Sequence, residues 1–270
     1  MSSPPLVWFQ GNIVEGSTPL ISPTDLGILI GDGVFDTLSV RNGIPRFLDR
    51  HLARFAGGLH QLGLPAFDDS VIRQAIDELL AASHLSDARI RITATSGPGR
   101  GGIERGDSPT LFISIDELGP TLSPASLCTV DAIRNERSPL VGVKLTSWTE
   151  NAALLREAKN AGFDNAVLCD SAGNLSECTT SNIFVVIDNE LLTPSLDSGC
   201  LPGIIRAVLL DHGVAVERVL TLEDLAQASE VFLTSSISEV RPVYRVDARE
   251  LPVSNGVFTK LAAQTVANAN

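Results

Sequence analysis

The sequence predicts an α+β protein in two lobes with mixed sheets. Three observations lead there. The chain has 270 residues, enough for one large domain or two ordinary ones with ample core. Strand patterns and two amphipathic helices fill the first part. Then Glu117 to Ser126, with Gly119, Pro120 and Pro124, reads as a linker, and a second set of strands and helices follows. The expected domains are a small α/β domain over 1–118, a linker over 119–126 and a larger mixed-sheet domain over 127–270.

Leu6–Phe9 and Asn12–Val14 flank Gln10-Gly11 and read as a hairpin. Asp25 to Ile30 leads into Gly31-Asp32-Gly33 and a strand from Val34 to Val40. Arg41-Asn42-Gly43-Ile44 is a tight turn, since Asn-Gly tolerates the positive φ of type I′. Leu48, Leu52, Phe55, Leu59 and Leu62 step by four and three, so one helix face is apolar, with Asp49 near its start and Gly63 at its end. A second helix from about Asp69 to Ala82 turns Val71, Ile72, Ala75, Ile76, Leu79 and Leu80 inward. Ala88 to Ala94 alternates as a strand, Thr95 to Gly102 reads as a flexible loop, and Thr110 to Ile115 is another strand. Beyond the linker come a strand from Cys128 to Ile133, Lys144 at a strand end, and a helix from about Thr149 to Ala161 closed by Gly162. The strand Ala166–Cys169, a turn over Asp170–Gly173 and the strand Asn182–Ile187 follow. Leu201-Pro202-Gly203 opens a helix through Leu210, Thr221 caps a short helix with Asp224, and Val231–Leu233 is a buried strand.

Composition narrows the function classes. Hydrophobic content is 44% and charged content 19%, which is globular. A net charge of -12 argues against a nucleic-acid surface and suits local positive pockets for anions. Cys128, Cys169, Cys178 and Cys200 share no CxxC spacing, so the reading is reduced thiols in a cytoplasmic protein and no metal. Met1-Ser2-Ser3-Pro4-Pro5 has no basic or apolar leader character, and no segment approaches the roughly 20 apolar residues of a membrane helix.

Two residues draw attention for chemistry. Lys144 is flanked by Val143 and Leu145, and partial burial favours the neutral, nucleophilic amine. Glu177 precedes Cys178-Thr179-Thr180-Ser181 and a strand, a context for a buried carboxylate that stays charged. A lysine that forms an imine and an acid that holds a pyridinium proton is the chemistry of pyridoxal 5′-phosphate. Read singly, a solvated lysine and a surface turn acid fit the same residues. Arg50 lies off the leucine stripe, Gly203-Ile204-Ile205 starts a helix whose free N–H groups suit an anion, and Ser235 and Ser236 end a buried strand. Gly31-Asp32-Gly33 lacks the spacing of a nucleotide loop. His51, His60, His84 and His212 form no triad pattern.

Order raises the signal. Gly31–Thr37, Arg50, Lys144, Leu175-Ser176-Glu177 through Phe184, Leu201–Arg206 and Phe232–Glu239 form a series that closely resembles the class IV aminotransferases. That family holds branched-chain and D-amino-acid aminotransferases, R-selective amine transaminases and aminodeoxychorismate lyases. The resemblance covers nearly the whole chain. It implies the two-lobed fold-type IV architecture, similar to D-amino-acid aminotransferases, and a homodimer. By the same resemblance Lys144 forms the internal aldimine and moves the substrate's α-proton, and Glu177 pairs with the pyridine nitrogen. Arg50, the N–H groups of Ile204 and Ile205, and Ser236 form the phosphate cup. Ser181 and Asn182 line the ring side. Many relatives carry threonine where Ile205 stands.

Substrate positions depart from the family's patterns. Ser96 stands where D-amino-acid aminotransferases carry an arginine, with Arg100 four residues on, and Ile28 stands where they carry tyrosine. Leu145-Thr146-Ser147-Trp148 replaces the Gly-Gly-Asn-Tyr of branched-chain enzymes; Trp148 lines the site or packs in the core. The run from Arg134 to Lys144 and the pocket-facing Thr37 resemble the aminodeoxychorismate-lyase branch. The resemblance therefore implies first a lyase that releases pyruvate from aminodeoxychorismate to leave 4-aminobenzoate. Second comes a transaminase of small D- or L-amino acids or R-amines with a 2-oxo acid acceptor. A binding protein that keeps the fold without chemistry is a third reading, which intact Lys144, Glu177 and Arg50 oppose.

Overall fold

The computed structural model describes residues 5–253 and 256–269, so Met1–Pro4, on which the leader reading rests, lies outside the described residues. Two compact units form: the described residues of Met1–Gly119 with Val143–Trp148, and those of Pro120–Gly142 with Thr149–Asn270. Val143–Trp148, expected in the second domain, packs into the first unit.

The first unit holds β1 (Leu6–Phe9), β2 (Asn12–Glu15), a short α1 (Leu26–Leu29), β3 (Gly33–Arg41), β4 (Ile44–Pro45), α2 (Leu48–Leu62), α3 (Asp69–Ser83), β5 (Ala88–Thr95), β6 (Gly99–Arg100), β7 (Glu104–Arg105) and β8 (Thr110–Glu117). Its main sheet runs β2-β1-β8-β5-β3-β4, all antiparallel. Asn42 and Gly43 take φ of 50° and 77° in the β3–β4 turn, the two positive values that type I′ requires. Val34, Leu38 and Val40 of β3 join Ile90, Ile92 and Ala94 of β5 in one core with Leu52, Phe55 and Leu59 of α2 and Ile72, Ile76 and Leu79 of α3. By strand alternation Phe35, Thr37, Arg89, Arg91 and Thr93 occupy the opposite sheet face. Gly63 ends α2 in the left-handed region at φ 68°. Val71, expected inward, is 40% exposed, because it lies one residue ahead of the Ile72 stripe.

Asp36 points into this core and is fully buried. His51 Nδ1 lies 2.7 Å from its Oδ1, and Arg54 donates from Nε (2.8 Å) and from an Nη (2.7 Å). Burial alone raises this carboxyl's pKa, yet the charge of Arg54 and the hydrogen bonds from His51 and Arg54 hold it well below the usual range. A depressed folded pKa adds stability above the ordinary aspartate range, and that stability is lost as the medium acidifies through it.

Val143–Trp148 lies along the free part of the β3 edge. Phe35 N–H donates to Lys144 O (2.9 Å), Val34 bridges Leu145, and Thr146 bonds back to Gly33 O through its N–H (2.9 Å) and to Gly31 O through its hydroxyl (2.8 Å). Those backward bonds turn the chain, so Lys144 sits in an irregular segment rather than at a strand end. Gly31, at φ 71°, has no room for a Cβ, which would stand 2.6 Å from Ser147 Cβ. The Gly-Asp-Gly run thus serves close approach of the lysine segment. Asp32 between the glycines is gripped by Arg105 at 2.7 and 2.6 Å.

The supposed flexible loop also has structure. Thr95 and Ser96 are buried, Thr95 donates to the buried Asp25 (2.9 Å), and Gly99-Arg100 pairs with Glu104-Arg105.

The second unit holds β9 (Ala125–Ile133), α4 (Thr149–Asn160), β10 (Asn165–Cys169), β11 (Leu175–Cys178), β12 (Asn182–Ile187), β13 (Glu190–Pro194), a 3-10 turn (Leu196–Ser198), α5 (Ile204–Asp211), β14 (Val216–Arg218), α6 (Leu222–Gln227), β15 (Glu230–Ser235), β16 (Glu239–Val246), β17 (Arg249–Glu250) and α7 (Val257–Asn268). The sheet order is β11-β10-β9-β16-β15-β12-β13-β14, with β17 on β16. Parallel pairs β9–β10 and β9–β16 make it mixed. Phe184 and Phe232 stack across β12 and β15 at 5.0 Å, both fully buried. β9 starts at Ala125, inside the expected linker, and the Thr221–Asp224 capping box forms as expected. No helix among the described residues is long and apolar enough to cross a membrane.

Candidate active site

In the second unit the site is built around Glu177. It lies within β11, 6% exposed. One carboxylate oxygen accepts from Leu201 N–H at 3.1 Å and the other lies 3.1 Å from an Arg134 Nη. A cation and an amide donor together offset much of the cost of burying a carboxylate. Asn182 donates to Leu201 O at 2.8 Å, and a Cβ on Gly203 would land on Asn182 Oδ1. Glu177, Asn182 and Leu201–Gly203 therefore come together, and only glycine fits at 203.

Gly203 caps α5 without a side-chain bond, and the first turn of α5 carries no acid. Its opening N–H groups suit an anion. Ile204 and Ile205 are 6% and 2% exposed, so their side chains serve the core and their backbone alone is available. Thr234 pairs across from Asn182, which puts Ser235 and Ser236 at the end of the same ladder. Ser235 is committed to its turn, bonding Ser238 Oγ at 2.8 Å; Ser236 is half-buried. Ser181 is half-buried in the tight turn to Cys178.

In the first unit the centre is Lys144, half-buried, with Nζ 4.6 Å from the ring centroids of both Phe35 and Trp148. Arg91 stacks its guanidinium on Phe35 at 3.6 Å and donates to Thr93 Oγ1 at 3.3 Å. Burial, then repulsion from Arg89, pulls its pKa down, and among the described residues no carboxylate pairs with it. Thr37 faces Arg91 across the β3–β5 ladder and is half-buried. Arg50 is exposed on α2, whereas Arg54, one turn on, is 13% exposed and fixed by Asp36. Ile28 is 59% exposed, Arg100 is exposed on β6, and Ser96 is 2% exposed with its N–H on Asp32 O.

Sequence reasoning missed Phe35, Arg54, Arg91 and Arg134 as candidates. Arg91 had a signal: it occupies the outward phase of β5, beside Phe35 and Thr37 in register. Arg54 had a weaker one, four residues after Arg50.

In the second unit a buried acid and an uncapped helix start beside a glycine cradle fit the ring nitrogen and phosphate of a phosphorylated pyridine aldehyde; in the first unit an amine held against aromatic rings fits its aldehyde. Comparison with known proteins agrees. Residues 33–246 match the family described as Amino-transferase class IV. The chain belongs to that family, whose members depend on pyridoxal 5′-phosphate, and it is an enzyme of fold type IV. It is 30% identical to a Methanocaldococcus jannaschii protein named provisionally as a branched-chain-amino-acid aminotransferase, covering 90% of this chain and 88% of that one. It is 26% identical to an aminodeoxychorismate lyase of Bacillus subtilis, over 90% and 87%. A Brucella abortus aminotransferase bound to the cofactor superposes with a TM-score of 0.87, at 29% identity over 97% of each chain.

Proposed function

We propose that the chain transfers an amino group from a carboxylate-bearing donor, an amino acid, to a 2-oxo acid. The single observation that carries this is Arg91, a half-buried guanidinium without a carboxylate partner among the described residues, stacked on the ring that Lys144 Nζ also meets. An arginine of this kind holds a substrate carboxylate by charge-assisted bonds and gives simple amines no advantage.

When bound, pyridoxal 5′-phosphate supplies an aldehyde for amines and an electron sink for the charge left by the departing α-proton. Lys144 Nζ would hold the aldehyde and carry that proton. Glu177 keeps a negative charge at the ring nitrogen. The N–H groups of Ile204 and Ile205 with the Ser236 hydroxyl would receive the phosphate; of the two α2 arginines, the less exposed Arg54 is the candidate cation in preference to the exposed Arg50. Exposed Ile28, Leu29 and Ile30 offer an apolar surface for a second copy of the chain, in keeping with a homodimer. Four free cysteines suit a cytoplasmic enzyme.

Thr37 favours a second reading. A hydroxyl facing Arg91 suits a substrate with further oxygens, as in the release of pyruvate from aminodeoxychorismate to leave 4-aminobenzoate. Purified enzyme given aminodeoxychorismate forms 4-aminobenzoate under that reading. Under the first it passes to the pyridoxamine form with amino acid donors instead.

Arg91→Met is expected to raise KM for amino acid donors roughly 10- to 100-fold, since a hydrogen bond to a charged group contributes about 1.5–3 kcal/mol. The isolated half-reaction with a simple R-amine, which involves no carboxylate substrate, keeps its rate. An equal loss with both donors would count against the assignment. For the cup, Arg54→Ala weakens cofactor retention on dialysis about tenfold or more, while Arg50→Ala stays near wild type. The reverse order would restore Arg50 to the role.

A further inference from the structure

We propose that Trp148 is a positioning residue: with Phe35 it forms a two-ring seat that holds the Lys144 ammonium whenever that nitrogen is not bonded to the cofactor. This rests on the assignment of Lys144 as the cofactor's lysine.

The geometry is that of a seat. Both centroids lie 4.6 Å from Nζ, well inside the roughly 6 Å reach of a cation–π attraction. The rings stand 5.6 Å apart at 87°, so two aromatic surfaces converge on one cation from different directions. Phe35 shares its ring with the Arg91 guanidinium. Trp148 meets no other cation among the described residues, so its indole, the stronger cation–π partner, serves Lys144 alone.

Trp148 is also poorly explained as core. It is half-buried and lies outside the hydrophobic cluster of its unit, which Val143 and Leu145 do join. Its backbone is pinned all the same. Trp148 N–H donates to Thr146 O at 2.8 Å, Thr146 is tied to Gly31 and Gly33, and Ser147 fills the space left by the missing Cβ of Gly31. A ring carried four residues beyond the lysine on so fixed a segment cannot drift from it.

The consequence is chemical. With the cofactor bound, Lys144 Nζ would take up the substrate's α-proton and hand it on, so it would spend part of each turnover as a charged ammonium. Cation–π attraction acts on the charged nitrogen and fades once the proton has gone. The seat therefore retains Nζ beside the two rings while it carries the proton.

The test compares Trp148→Leu and Trp148→Phe in the holoenzyme. Trp148→Leu is expected to lower kcat about tenfold with donor KM changed less than about twofold, and Trp148→Phe to recover most of the loss. A second readout needs no turnover. The chain has two tryptophans, so in a Trp8→Phe background the emission comes from Trp148 alone. Removing the charge with Lys144→Met in the cofactor-stripped full-length chain is expected to change that emission. Unchanged emission, or equal kcat for the leucine and phenylalanine variants, overturns the seat. Failure of the underlying lysine assignment looks different: Lys144→Ala would then remain active.

Discussion

Replacing Lys144 with alanine is expected to leave a folded chain that borohydride no longer links covalently to pyridoxal 5′-phosphate, and to lower kcat by roughly 1,000-fold or more. The size follows from the two jobs one nitrogen does. A positioned side-chain base contributes roughly 100- to 10,000-fold, and loss of the covalent attachment adds to that. Folding is spared because the bonds that fix this segment belong to its backbone and to Thr146: Phe35 N–H to Lys144 O, and Thr146 to Gly31 and Gly33. Alanine keeps all of them. Mass spectrometry after borohydride treatment, beside a thermal melt, separates the cases. Continued covalent labelling at another residue, or activity near wild type, would remove Lys144 from the centre of the reaction.

The sequence made some parts of this fold plain, for a physical reason. The α2 stripe, the Asn42-Gly43 turn and the Thr221–Asp224 capping box are local devices, and each declares itself within a few residues. β11 does not. Its four residues, Leu-Ser-Glu-Cys, are buried on both faces although the strand ends its sheet, because Arg134 and Leu201, distant in sequence, cover the Glu177 carboxylate. Lys144 misled for the reverse reason: apolar neighbours suggested a strand, but Thr146 turns the chain back onto a glycine run more than a hundred residues earlier. Resemblance could order the site residues yet not weigh them. Arg50 and Arg54 sit one turn apart on α2, and burial and the grip of Asp36 mark out Arg54, neither of which a sequence shows. Arg91 reads as a surface charge until its place beside Phe35 is known.

Glu177→Gln is expected to cost roughly 100-fold in kcat while cofactor uptake survives. Glutamine is close in shape and still accepts from Leu201 N–H, so what it removes is charge. A ring nitrogen that faces a neutral amide has no anion to keep its proton, and the electron sink weakens. The same substitution strips Arg134 of its ion partner. That guanidinium is 18% exposed, and the cost of an uncompensated buried charge, at most about 3–5 kcal/mol, is reduced by that access to water. Lost stability and lost chemistry are thus entangled in the single variant. Adding Arg134→Met separates them, because the pair is in contact and its coupling is measurable by a double-mutant cycle. Urea midpoints should recover in the double variant as the stranded charge disappears. The kcat should not, since no anion returns to the ring nitrogen. Recovery of kcat together with stability would make Glu177 a partner for Arg134 and nothing more.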